Sequence, residues 1–86
     1  MTGEQIHAAV LEERERQADQ WNRNHAFGWG DCSSPAVDTA VKVAVLSEEC
    51  GEVARAFLDG DVDGMRRELV QVAAVAWAIL EGMKAP

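Results

Sequence analysis

Apolar residues recur three and four positions apart along most of the chain, a spacing typical of helices that bury one face. The pattern falls into three segments and predicts helices over about residues 3–22, 35–58 and 62–82. The polar, glycine-containing stretch 24–35 predicts a loop, and the last three residues are expected to fray. We therefore predict an all-α, single-domain, three-helix antiparallel chain that assembles into an oligomeric helical bundle.

The predicted helix starts rest on capping signals. Thr2 with Gln5 predicts a capping box at the first helix. Ser34 followed by Pro35 favours a start of the second helix at 35, and Asp38 is an alternative start. The turn before the third helix contains Gly60, which suits a left-handed capping position.

Each predicted helix has a face expected to point inward. In the first helix this face comprises Ile6, Val10, Leu11, Ala18 and Trp21, with Arg14 on the same side. In the second it comprises Val43, Leu46, Cys50, Val53 and Phe57. In the third it comprises Glu68, Val72, Val75, Ile79 and Met83. The third helix has a further apolar stripe at Val70, Ala73, Trp77 and Leu80, which is expected to meet another subunit because a three-helix monomer cannot cover both sides.

Carboxylates flank these apolar faces. Glu49 and Glu52 lie three residues apart on one face of the second helix, with Glu48 one step further round, and Glu68 points inward from the third. Carboxylates held together near a core repel one another unless they are protonated or share a cation. Oxygen ligands suit Mg²⁺, which usually keeps water or phosphate oxygens in its shell. The pattern thus suggests a Mg²⁺ and nucleotide phosphate site, although glutamates at this spacing also occur on solvated helix faces.

Two motifs resemble a known enzyme family. Residues 46–57 read LSEECGEVARAF and residues 66–81 read RRELVQVAAVAWAILE. Together they resemble the MazG-like, all-α nucleoside triphosphate pyrophosphohydrolases, in which Glu-x-x-Glu on one helix and Glu-x-x-Asp on the next hold Mg²⁺. Glu49 and Glu52 match the first pair and Glu68 begins the second, but Gln71 stands where the family has Asp. Residues 13–21, ERERQADQW, also resemble the run that precedes this motif in phage and bacterial members.

The resemblance implies Mg²⁺-dependent hydrolysis of a nucleoside triphosphate to a monophosphate and pyrophosphate. Glu49, Glu52, Glu68 and Gln71 are then the expected metal ligands. Glu49 also counts as catalytic, and Glu48 is either a fourth ligand or the base that acts on the attacking water.

Three further residues are candidates for substrate binding. Trp21 is the preferred partner for base stacking. Lys42 lies on nearly the same side of its helix as Glu49, so it is a candidate for a phosphate contact or for a simple charge pair. Arg14 is a candidate for pairing with Glu48 or Glu52 or for binding a phosphate, and an exposed role for it stays open.

The composition and charge of the chain restrict the classes of partner that it is expected to bind. The formal net charge of the 86-residue chain is −7, which argues against binding to a nucleic acid polymer. Without a long apolar run or a signal-peptide pattern, no membrane partner is expected and the cytoplasm is the expected location. Cys32 and Cys50 are expected to be free thiols, and with the two histidines they lack the spacing of a zinc site.

Two other functions remain open. Because Gln71 replaces an acidic ligand, the chain is alternatively a non-catalytic nucleotide-binding or regulatory protein with the same fold. It is otherwise a structural oligomerising module with a solvated acidic face. For all three functions, the expected assembly is a homodimer or a homotetramer.

Overall fold

The computed structural model describes residues 1–83, and the expected fraying of residues 84–86 lies outside them. Three helices and a short hairpin make up the fold. In chain order these are α1 (Gly3–Gln20), β1 (Asn24–His25), β2 (Gly28–Trp29), α2 (Thr39–Leu58) and α3 (Val62–Gly82). The predicted all-α, three-helix fold is confirmed, and its predicted boundaries hold to within two residues for α1 and α3.

The helix α3 is the centre of the molecule, because both α1 and α2 pack against it. Its buried positions are small or β-branched: Ala74, Val75 and Ala78 are almost completely enclosed. Small side chains let the neighbouring helix backbones approach closely. The turn between α2 and α3 contains Gly60 with φ of 69°, as the capping pattern predicts, and it makes the two helices an antiparallel hairpin.

The helix caps explain where the helices begin. Thr2 and Gln5 form the predicted capping box, with Thr2 N donating to Gln5 Oε1 at 2.8 Å and Gln5 N donating to Thr2 Oγ1 at 3.1 Å. The favoured start of α2 at Pro35 is wrong, and the alternative is confirmed: Asp38 caps α2 by accepting a hydrogen bond from Ala40 N.

The segment before α2 folds back on itself instead of beginning the helix. The Ser34 hydroxyl accepts a hydrogen bond from Ala36 N at 3.2 Å, which closes a turn. The preceding hairpin pairs Asn24 with Trp29 and His25 with Gly28 inside the predicted loop. Gly28 has φ of 121°, and a Cβ there would overlap the Ala36 carbonyl. The hairpin therefore packs tightly against the chain that leads into α2.

The predicted inward faces are only partly correct. On α2, Val43, Cys50 and Phe57 are exposed, so the buried face is rotated by about one residue. The inner side of α2 comprises Val41, Lys42, Val45, Leu46, Glu49, Val53 and Ala56. On α1, the predicted Val10 is buried, but Ile6, Leu11 and Ala18 are exposed and Gln17 is buried instead. The rotation of α2 turns Glu49 toward α3 and not merely toward the edge of the core.

The inner face predicted for α3 is mostly correct. Val75 is buried, Glu68, Val72 and Ile79 are half-buried, and Met83 is exposed. The second predicted stripe is exposed at Ala73, Trp77 and Leu80 and half-buried at Val70. Within residues 1–83, none of the helices combines the length and the apolar character needed to cross a membrane.

Candidate functional site

Three carboxylates converge where α2 faces α3. Glu49, Glu52 and Glu68 each place one oxygen so that the three atoms lie within 4.8 Å of one another. Glu49 and Glu52 share one face of α2 because they are three residues apart, and the antiparallel hairpin brings Glu68 of α3 opposite them. We call these three residues the acidic cluster.

The charges of the acidic cluster oppose one another. Partial burial, followed by the nearby charges of Glu52, Glu68 and Glu48, raises the pKa of Glu49 above its usual value. Burial and the adjacent Glu52 carboxyl also raise the pKa of Glu68, and Arg67 offsets only part of that effect. Proton binding relieves this repulsion, and a shared cation would relieve it too.

Gln71 of α3 lies within reach of two members of the acidic cluster. With its amide nitrogen turned toward them, Gln71 donates to Glu49 Oε2 at 3.1 Å and to Glu68 Oε2 at 2.9 Å. This orientation follows from the hydrogen-bond network, because both neighbours are acceptors. The opposite orientation would present the amide oxygen to the cluster. Gln71 therefore occupies the position that the sequence motif assigns to a fourth ligand.

A cavity of about 440 Å³ adjoins the acidic cluster and shares Glu49 and Gln71 with it. Pockets of this size are typical for small organic ligands. The cavity is lined by residues of all three helices and of the hairpin segment: Arg16, Gln17, Gln20, Trp21, His25, Phe27, Gly30, Asp31, Cys32, Val37, Val41, Val45, Glu48, Glu49, Gln71 and Val75. Three of the predicted site residues, Trp21, Glu48 and Gln71, therefore share one cavity with Glu49.

Neighbouring side chains hold the indole ring of Trp21 at the cavity wall. His25 packs edge-on against it with ring centroids 5.3 Å apart, and the Arg23 guanidinium lies 4.9 Å from its centroid. His25 Nε2 contacts the Gly30 carbonyl at 2.7 Å, while Nδ1 accepts a hydrogen bond from Phe27 N at 3.3 Å. These contacts fit the neutral tautomer with a proton on Nε2, so His25 supports the loop and Trp21.

A second, more open cavity of about 400 Å³ is lined by residues of α1 and α3 and by Met1. It contains three arginines, Arg16, Arg66 and Arg67, and it shares Arg16 and Gln71 with the first cavity. The two cavities thus meet next to the acidic cluster, with aromatic side chains in the first and guanidinium groups in the second.

The structure does not bring Arg14 to the acidic cluster, so the expected pairing with Glu48 or Glu52 is wrong. Arg14 Nη1 instead binds Asp31 Oδ2 at 2.8 Å, and Arg14 Nε binds Glu81 Oε1 at 3.0 Å. Only 11% of the Arg14 side chain and 9% of the Asp31 side chain are exposed. The Arg14–Asp31–Glu81 network therefore joins α1, the loop before α2 and the end of α3.

The network holds Asp31 in its charged form. Burial alone acts to raise the pKa of Asp31, but hydrogen bonds from Ser33 and Arg14 outweigh it and lower the pKa below the usual aspartate value. Ser33 donates through both its backbone N, at 2.9 Å, and its hydroxyl, at 2.6 Å. Arg14 and Asp31 thus neutralise each other inside the fold.

Lys42 also lies away from the acidic cluster, so its expected phosphate contact does not follow from its position. It shares the inner face of α2 with Glu49, but its side chain is 5% exposed and lies at the other end of that face. A Cβ on Gly82 would lie 3.1 Å from Lys42 Nζ, which places the ammonium beside the C-terminal end of α3. There it complements the helix dipole.

Sequence reasoning missed Gln17 and Arg16 as residues of the site. Gln17 is buried on α1, and Arg16 lies near enough to Glu49 for that charge to contribute to its raised pKa. The largest cause of that raised pKa is the hydrogen-bonded pair with Glu13. A signal for Gln17 was present, because it lies three residues after Arg14 and four before Trp21 on one helical face.

No known protein family, curated protein or solved structure matches this chain.

Proposed function

We propose that the protein is a Mg²⁺-dependent nucleotide pyrophosphohydrolase that converts a nucleoside triphosphate to a monophosphate and pyrophosphate. The observation that carries the proposal is the convergence of Glu49, Glu52 and Glu68 at the edge of a cavity that contains Trp21. A dense carboxylate site beside an aromatic pocket suits a ligand with a polyphosphate at one end and a planar base at the other. The MazG-like sequence motif supports the same activity.

The donor set fits Mg²⁺. Three carboxylates with oxygens within 4.8 Å of one another provide hard ligands, and a rotated Gln71 amide would add a neutral oxygen. When bound, Mg²⁺ would supply charge neutralisation of the phosphates and activation of water. Glu49 and Glu68, whose pKa values are raised by burial and neighbouring carboxylates, have a physical reason to bind a cation.

The chain's own residues take the remaining roles in this proposal. Trp21 stacks on the base and Glu48, exposed at the cavity, accepts the proton of the water that attacks the α-phosphorus. The bond from that phosphorus to the bridging oxygen breaks, and pyrophosphate leaves. Arg16, Arg66 and Arg67 in the second cavity, in place of Arg14 and Lys42, are the cationic groups suited to the departing phosphates.

Pyrophosphate release from a panel of nucleoside triphosphates, measured across a Mg²⁺ titration, tests the activity. We expect turnover with at least one nucleotide and a fall of at least about 100-fold in the Glu49→Gln variant, since that change removes a charged ligand. Glu4→Gln, on the exposed first turn of α1, is the matched control and should retain full activity. Unchanged turnover in Glu49→Gln would remove Glu49 from the mechanism.

A second candidate function is nucleotide binding without catalysis. Its support is the pair of hydrogen bonds from Gln71 to Glu49 and Glu68, because a donor amide there cross-links the carboxylates without a cation. Binding of Mg²⁺ and nucleotide without turnover would favour this function. A gain of rate in Gln71→Asp would indicate that the missing charge limits the chemistry.

We propose that the working unit is a homodimer or homotetramer and that it acts in the cytoplasm. Support for self-association comes from large apolar side chains that are exposed on the monomer, including Phe57 and Leu58 of α2 and Trp77 and Leu80 of α3. Support for the location comes from the free thiols of Cys32 and Cys50. Light scattering coupled to size-exclusion chromatography tests the assembly, and a monomer at micromolar concentration would count against it.

A further inference from the structure

The side chain of Gln17 stands out among the polar groups of the main cavity. Gln17 is only 8% exposed, and it lines the cavity beside Trp21. No hydrogen bond links its side-chain amide to any other residue within 1–83. Across the same residues, every fully enclosed side-chain nitrogen or oxygen has a partner. The Gln17 amide is therefore not fully enclosed, and Gln17 is one of the residues that line the cavity.

The other three glutamines show what is unusual about Gln17. Gln5 bonds to the backbone of Thr2, Gln20 accepts a hydrogen bond from Arg16 Nη1 at 2.9 Å, and Gln71 bonds to the acidic cluster. Only Gln17 among them is mostly buried and without such a partner in the described part of the chain. The hydrogen-bonding groups of Gln17 are therefore available to a ligand that binds in the cavity.

We propose that Gln17 is a specificity-determining residue that reads the edge of a nucleobase held in the cavity. A carboxamide presents one acceptor next to two donors, which matches the adjacent donor and acceptor on the Watson–Crick edge of a base. Trp21 supplies the apolar ring face for the same base, and Glu49 lies at the cavity's end near the phosphate site. This inference rests on the proposed function, because that function identifies the ligand as a nucleotide.

The test uses the whole protein and free 2′-deoxynucleosides, with neither Mg²⁺ nor phosphate present. The probes are the cytosine, uracil, adenine and guanine nucleosides, with pyrimidin-2-one and unsubstituted purine nucleosides that lack the exocyclic edge group. Binding is followed by the side-chain NH₂ resonances of Gln17 in ¹⁵N NMR spectra. We expect at least one of the four natural nucleosides to bind and to shift the Gln17 resonances, and its analogue without the edge group to bind more weakly.

The Gln17→Met variant keeps the size of the side chain and removes both hydrogen-bonding groups. We expect it to weaken nucleoside binding by about 10- to 100-fold and to erase the difference between the base and its analogue. Gln5→Met, on the exposed capping box far from the cavity, is the matched control and should bind as the wild type does. If Gln17→Met does not fold, the resonance shifts of Gln17 in the wild-type protein decide the matter.

The outcomes separate this inference from the proposed activity. Nucleoside binding that shifts Gln17, found without any triphosphate turnover, would support the base reader and remove the hydrolase. Turnover in a protein whose Gln17 resonances do not respond to nucleosides would do the opposite. Equal nucleoside affinity in the wild type and Gln17→Met would overturn the inference, as would the absence of binding by all four natural nucleosides.

Discussion

Carboxylates gather at two places along α3, and the two groups differ in how their charge is balanced. Toward the C-terminal end, Glu81 and Asp31 share the guanidinium of Arg14, and the pKa of Asp31 is lowered. Nearer the N-terminal end, the neutral amide of Gln71 pairs with Glu49 and Glu68, Arg67 offsets only part of the charge, and the pKa values of Glu49 and Glu68 are raised. The pKa values of carboxyl groups are thus shifted in opposite directions at the two places.

This difference in charge balance distinguishes the Arg14–Asp31–Glu81 network, which has a structural role, from the acidic cluster, which is a candidate functional site. The Arg14–Asp31–Glu81 network carries its own cation, so it needs nothing from solution to be stable. The acidic cluster leaves negative charge unbalanced at the edge of a cavity, and perturbed carboxyl groups in such a place are typical of functional sites. The most informative experiments remove the internal cation from one group or add an external cation to the other.

Removing Arg14, the internal cation of the network, is expected to have the largest effect on the free energy of unfolding. Arg14→Met should lower the free energy of unfolding by about 3 kcal/mol, because it leaves Asp31 charged, mostly buried and without its arginine. Urea denaturation at neutral pH measures the change. Arg66→Met is the matched control: its ion pair with Asp63 is exposed, and the loss should stay below about 0.5 kcal/mol. Equal losses in the two variants would show that the buried Arg14–Asp31 pair stabilises the fold no more than the exposed Arg66–Asp63 pair does.

Adding the external cation should have the next largest effect. Mg²⁺ at 100 times its dissociation constant should stabilise the wild-type protein by about 2.7 kcal/mol, because the ion binds the folded state. Thermal unfolding with Mg²⁺, against NaCl at matched ionic strength, measures it. Glu49→Gln should lose most of this gain, whereas Arg14→Met should keep it. A wild-type protein that responds equally to both salts would speak against a metal site.

Replacing the neutral amide of Gln71 with a carboxylate is expected to have a smaller effect on the free energy of unfolding. Gln71→Asp removes two hydrogen bonds to Glu49 and Glu68 and adds a like charge, so we expect a loss of about 1–2 kcal/mol at neutral pH without Mg²⁺. Urea denaturation measures it. The loss should shrink as the pH falls through the raised pKa values of Glu49 and Glu68, where these carboxyls protonate, and on addition of Mg²⁺. A loss that is independent of both pH and Mg²⁺ would point to packing instead of charge.

The smallest expected effect is the change with pH in the free energy of unfolding of the metal-free protein. Glu49 and Glu68 have folded-state pKa values above the usual 4.5, so the folded chain binds more protons than the unfolded chain. Their stabilising contribution is complete below that value and is lost as the pH rises through the folded pKa. We expect a decline of about 0.5–1 kcal/mol toward neutral pH, measured by urea denaturation, and a shallower decline in Glu49→Gln. A rise in the free energy of unfolding over this range would contradict the raised pKa values of Glu49 and Glu68.

Asp31 contributes to the pH dependence of the free energy of unfolding with the opposite sign. Its folded-state pKa lies below the usual 3.8, so its contribution is complete above that value and is lost as the pH falls through the folded pKa. The two groups therefore act in separate pH windows. The profile should fall on the acid side because of Asp31 and on the neutral side because of the acidic cluster.

The acidic cluster was predictable from the sequence because it depends on short-range geometry. Glu49 and Glu52 are one helical turn apart, and a tight turn fixes Glu68 opposite them. The partners of Arg14 were not predictable, since Asp31 belongs to a loop and Glu81 lies 67 residues away in sequence. Pattern alone also left the orientation of α2 ambiguous, because the helix is apolar on several sides and its contact with α3 selects the side that carries Lys42 and Glu49.

The tip of the short β1–β2 hairpin forms part of the cavity rim, and its residues can be exchanged with little effect on the helices. Its stem is anchored where Gly28 meets the Ala36 carbonyl, while Phe27 at its tip is largely exposed and still lines the cavity. Insertions or exchanges at such a tip disturb few contacts of the helices. Residues 26–27 can therefore be exchanged, and the rim of the cavity reshaped, while the three-helix scaffold stays the same.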